Sequence, residues 1–86
     1  MRKHAFVDKD DYIKKVMIYQ DNEGVYIFQY DTIDDTHCNW DLWFPSIDEA
    51  QSFCEKEYFI GEKNWIIIDD PKEGCFHDII EDIKIK

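Results

Sequence analysis

The chain has 86 residues, enough for one domain over 1–86 and too few for a second. Its 20 acidic and 10 basic residues leave a net charge of −10, which repels phosphate backbones, argues against direct nucleic-acid binding and favours a basic protein as partner or none. No apolar run exceeds four residues, which excludes a membrane-spanning helix, and three Gly with two Pro exclude a low-complexity chain.

Residues 1–11 read as a loose or short-stranded start. Residues 12–19 (YIKKVMIY) are rich in β-branched and aromatic side chains and predict a strand. Asp21, Asn22, Glu23 and Gly24 are turn formers, and 25–30 (VYIFQY) predicts the returning strand, so 12–30 forms a β-hairpin with a four-residue loop. Residues 31–39 are polar, with a turn at Asp34-Asp35-Thr36. Residues 40–44 alternate, with Trp40, Leu42 and Phe44 toward one face and Asp41 and Trp43 toward the other, which predicts a third strand closed by Pro45.

Ser46-Ile47-Asp48-Glu49 has the S-x-x-E form of a capping box, in which the Ser46 hydroxyl accepts from the Glu49 amide and the Glu49 carboxylate reaches back. Ile47, Ala50, Phe53, Cys54 and Tyr58 recur at three- and four-residue spacings and make one apolar stripe. Gly61 stands where a left-handed C-cap belongs, so a helix is expected over about 47–60. Residues 65–68 (WIII) predict a buried strand ended by Asp69-Asp70-Pro71, and 79–86 alternates as a last strand. The expectation is an α+β fold: an antiparallel sheet of about five strands in the order β-β-β-α-β-β, with one helix on one face.

The cysteines Cys38, Cys54 and Cys75 are odd in number and far apart, so they form no disulfide framework. Arg2, Lys3 and His4 followed by Ala5, Phe6 and Val7 do not make a secretion signal, and the expected location is cytoplasmic with free thiols. His37-Cys38 and Cys75-x-His77 are the only pairs of soft metal ligands. Adjacent His37 and Cys38 point to opposite faces of an extended backbone, so Cys75 and His77 are the better half of any zinc site. The acids around both thiols oppose the thiolate that a cysteine nucleophile requires. No phosphate-binding glycine loop, G-x-S-x-G, H-E-x-x-H or calcium loop occurs. A non-enzymatic protein without a cofactor is therefore expected.

What remains is an acidic belt. Residues 31–62 hold nine carboxylates against one lysine, with Tyr30, Trp40, Trp43 and Tyr58 set in or beside them. If Trp40 faces the core, Trp43 and Asp41 face outward, and a Trp rimmed by carboxylates has the composition of an anchor for a cationic surface. Asp34, Asp35, Asp41 and Trp43 are the candidate partner-binding residues. Toxin-neutralising immunity proteins and nucleic-acid mimics are examples of this physical type. The competing expectations are a Trp43 covered by a terminal strand or by 70–78, and a metal- or thiol-dependent module centred on Cys75 and His77.

The segments GVYIF (24–28), DLWFPSIDEA (41–50), Asn64-Trp65 and GCFHD (74–78) together resemble a group of small acidic bacterial proteins without an assigned activity. The resemblance covers 24–86. It implies one bacterial domain and adds weight to 75–78, and it implies no function.

Overall fold

The computed structural model describes all of residues 1–86. Strands β1 (Arg2–Phe6), β2 (Lys15–Asp21), β3 (Gly24–Tyr30) and β4 (Trp40–Phe44) precede helix α1 (Ile47–Tyr58), a single 3-10 turn (Glu62–Asn64) and strand β5 (Ile66–Ile68). Neighbouring strands are all antiparallel, and the sheet order is β4-β3-β2-β1-β5. The α+β class, the five strands and the single helix are as the sequence predicts.

The order of elements along the chain is not: four strands precede the helix and one follows it, rather than three and two. Residues 2–6, read as a loose start, form β1, which pairs with both β2 and β5. Residues 79–86, read as a strand, contribute to no sheet strand; their one ladder contact is the bridge Lys84–Cys75. The reason lies in which side chains alternate. Arg2 and His4 are buried on one face and Ala5 on the other, so β1 does alternate, but with charged and polar residues that a hydropathy pattern counts as exposed. β2 also begins at Lys15 rather than Tyr12, and Tyr12 lies exposed in the preceding turn.

The β2–β3 hairpin closes over the two-residue turn Asn22-Glu23 rather than the expected four-residue loop, because Asp21 and Gly24 are themselves in the ladder. Asp21 pairs with Gly24, and the Asp21 carboxylate accepts from the amides of Glu23 (2.7 Å) and Gly24 (3.2 Å), an Asx turn. Gly24 sits at φ +150, and any Cβ there would overlap the Trp43 indole, which occupies the space above it.

α1 starts where its capping residue places it. The Ser46 hydroxyl accepts from the Glu49 amide at 3.3 Å and lies 3.4 Å from the Glu49 carboxylate, with Asp48 and Glu49 at the positive end of the dipole. The C-terminus differs from expectation. The left-handed residue is Phe59, at φ 58, whose amide donates back to Glu55. Gly61 has φ −87 and instead opens the 3-10 turn, its amide held by Asn64 Oδ1 at 2.8 Å.

Two separate cores flank the sheet. On the helix side Ala50, Cys54 and Tyr58, spaced four apart, meet Ala5, Val16, Ile18, Val25 and Ile27. On the other side Met17, Phe28 and Tyr30 are buried with Tyr19, Tyr26, Cys38, Ile68 and Ile80 around them. No helix covers this second core. Residues 31–39 and 75–81 cover it instead, through the contacts described next.

Candidate protein-binding edge

Three basic side chains of the sheet, Arg2, His4 and Lys15, point to the second core, and all three are buried. Arg2 finds no carboxylate. Its guanidinium donates to four backbone carbonyls, those of Asp69 (2.8 Å), His77 (3.1 Å), Ile79 (2.6 Å) and Ile80 (3.3 Å). Lys15 Nζ donates to the Asp34 carbonyl at 2.8 Å and stands 4.3 Å from the centre of the Tyr30 ring. Carbonyl dipoles and a π face thus replace counter-ions for buried cations, and both irregular segments are fixed onto the sheet.

The acids of these segments complete the attachment. Asp35 accepts from the amides of Ile80 (2.7 Å) and Glu81 (2.9 Å). Asp78 accepts from the Cys38 amide (2.8 Å) and from His37 Nδ1 (3.1 Å), while its carbonyl accepts from the Tyr30 hydroxyl at 2.5 Å. Partial burial pushes the Asp78 carboxyl up, but these donors and the His37 charge outweigh it and hold the carboxyl below its usual range. Of the four residues the sequence singles out for a partner, Asp35 therefore holds the chain's own backbone, and Asp34 lends a carbonyl to Lys15 while its side chain stays exposed.

The thiols and imidazoles do not form a reactive set. Burial and the Asp78 carboxylate push the Cys38 thiol up to about 11, with Asp41 adding to the effect, so Cys38 is a neutral thiol at pH 7 even though His37 and Asp78 are close. Burial pushes Cys54 up to about 12, against a smaller opposing pull from the Lys3 charge. Cys75 is buried, whereas His77 is exposed and packs on Tyr19 with ring centroids 4.8 Å apart, so the two do not present a common ligand face. No three His, Cys, Asp or Glu side chains converge as a metal ion requires. The largest surface depression, about 570 Å³, is lined by Tyr19, Gln20, Asp21, Asn22, Asp70 and Pro71 together with Met1 and contains neither cysteine nor histidine.

β4 is different in kind. It is an end strand of the sheet, bonded to β3 alone, and its exposed residues are Trp40, Asp41, Leu42 and Trp43. Trp43 pairs with Tyr26 and Asp41 with Phe28, which puts both on the second-core side; Trp40 and Leu42 pair with Gln29 and Ile27 on the helix side. The alternation read from the sequence is therefore present, with one correction. Trp40 is not core: it is 53% exposed, and so is Trp43. The cause is position, since the helix covers β4 only near Phe44, which packs on Phe53 at a centroid distance of 5.4 Å. A half-exposed indole thus stands on each side of one edge strand, that of Trp43 lying over Gly24. The sequence signal for the second is weak, because period two does not tell an end strand from a central one.

The surroundings are acidic. β4 and α1 lie wholly within the 31–62 segment, with its nine carboxylates and single lysine. Asp48 and Glu49, both exposed, follow β4 directly on the first turn of α1, and Asp31 and Asp34 are exposed on the loop that leads into β4.

No helix is long and apolar enough to cross a membrane. No protein-family model matches the chain, and neither a curated protein nor a solved structure matches it.

Proposed function

We propose that this protein is a non-enzymatic binding module that holds a basic protein against the acidic, aromatic edge formed by β4 and its flanking residues. One observation carries the reading: Trp40 and Trp43, each about half exposed, share an end strand inside a segment that has nine carboxylates and one lysine. Interface energy concentrates in a few large aromatic anchors, and like-charged rims steer an oppositely charged partner toward them. An inhibitor of a cationic enzyme, such as a toxin-neutralising immunity protein, or a mimic of nucleic acid would use this arrangement. Three free cysteines suit the reducing conditions of a cytoplasm.

The division of labour gives the test. Trp43→Ala is expected to speed dissociation of the partner and cost about 2 kcal/mol or more. Asp34→Lys and Asp41→Lys are expected to slow association and flatten its salt dependence, because rim charges act on encounter. Partners are recovered by native pull-down at low and high salt and their rates measured by surface plasmon resonance, with circular dichroism to verify that each variant is folded. Only weak contacts with many unrelated basic proteins, all erased by salt, would mean that the acidity serves solubility and not recognition.

A further inference from the structure

Building on the acidic-edge reading, we propose how the partner is held: an extended cationic segment of it pairs with β4 as a sixth strand of the sheet. The backbone of β4 is open on its outer side. The sheet ends at β4, and the hydrogen bonds that connect turns, loops and caps include none to the backbone of residues 40–44. A strand edge bears alternate N–H and C=O groups that pair readily with another chain, and monomeric proteins blunt such edges with Lys, Pro, a bulge or a covering loop. Within β4 there is no Lys and no Pro, and its one charge is Asp41. The opposite edge, β5, offers only Ile66–Ile68, whereas β4 offers five residues.

The side chains fit the same purpose. An added strand would run between the Trp43 side and the Trp40 side, and its alternate residues would contact the two faces in turn. Residues on one face would meet Asp41 and Trp43, a carboxylate beside an indole, which suits Lys or Arg by ion pairing and cation–π contact. Residues on the other face would meet Trp40 and Leu42, which suits a β-branched or aromatic side chain. The segment recognised is therefore one that alternates cationic with apolar residues. A second copy of this chain is the wrong occupant. Pairing β4 with β4 would bring Asp41, Asp48 and Glu49 of both copies together, with Lys56 the only cation in either segment.

The probe is a set of octapeptides alternating Lys or Arg with Val, Ile or Tyr, beside the same set with Glu in place of the cations. Tryptophan fluorescence measures affinity at low salt, and amide hydrogen exchange by NMR locates the contact. Cationic peptides are expected to bind, to slow exchange at residues 40–44 and to leave 66–68 unchanged. N-methylation of alternate residues along one peptide edge is expected to weaken binding about tenfold or more, as lost backbone bonds would, while methylation along the other edge has little effect. Asp41→Lys is expected to reverse the preference toward the Glu peptides. If both methylated forms bind equally, or protection falls elsewhere than 40–44, strand addition is wrong and the acidic-edge reading stands. If cationic peptides bind no better than acidic ones, both are wrong.

Discussion

Phe59 is the one non-glycine residue in the left-handed region, and it is 69% exposed. That conformation costs an L-residue roughly 1–2 kcal/mol, and the exposed Phe59 ring has Lys9 Nζ 5.9 Å from its centre. Phe59→Gly is expected to raise stability by about 0.5–1 kcal/mol, seen as a higher urea midpoint with an unchanged slope. A lower midpoint would show that the aromatic ring contributes more than the backbone conformation costs. The sequence points to Gly61 instead because glycine is the usual occupant of a left-handed cap. Helix periodicity does not fix an end to within two residues, and here Tyr58 is the last buried residue of the helix, with Ile60 entering the core beyond the left-handed Phe59.

At the scale of elements, the hairpin, the edge strand and the helix were legible because each follows a local rule: Asx turn, period two, capping residue. β1 and the second core were not, because they depend on buried Arg2 and Lys15, whose partners are carbonyls far away in sequence. The alternation of 79–86 is present in the sequence, yet 79–81 are held by Arg2 and Asp35 gripping their backbone, and 83–85 only by a short bridge to 74–76, so no sheet strand forms. Of the candidate site, Trp43 and Asp41 were legible from alternation, whereas the internal role of Asp35 and the exposure of Trp40 require the fold. Arg2→Met is expected to cost about 2–4 kcal/mol, since it leaves four carbonyls without their donor. Arg2→Lys should recover only part of this, because one ammonium cannot reproduce the guanidinium fork. Hydrogen exchange should quicken first across 75–81 in both variants, and uniform quickening across the sheet would contradict a local clamp.

The whole molecule responds to acid through groups of opposite kind, His4 on one side and Asp78 on the other. Asp10, which accepts from the amides of Ile13 and Tyr12, is shifted in the same direction as Asp78. Burial lowers the pKa of His4, Lys15 lowers it further and Asp35 offsets part of this, while Nδ1 of His4 has no partner. The unfolded chain takes up that proton near pH 6.5 and the folded one only at lower pH, so stability falls as pH drops below about 6.5. Asp78 is held below its ordinary value of 3.8, so its contribution is present above that pH and is lost as pH falls further. Urea midpoints between about pH 8 and pH 3 should therefore decline in two stages. His4→Phe should abolish the upper stage and spare the lower, whereas Asp78→Asn should spare the upper and shrink the lower, leaving what Asp10 contributes. A single stage near pH 4 in the unaltered protein would show that His4 does not titrate with folding.

β5 joins the sheet only by pairing with β1: Arg2 faces Ile68 and His4 faces Ile66. The hairpin of β2 and β3 closes over a two-residue turn, whereas this pairing closes a loop of about sixty residues, and the entropic penalty of closure grows with loop length. Contacts this distant in sequence slow a folding reaction. Closure entropy therefore favours the β2–β3 hairpin well ahead of the seam between β1 and β5. Until that seam forms, the outer side of β1 is itself an open edge, and Arg2 lacks the carbonyls of 69–80 that hold it in the finished fold.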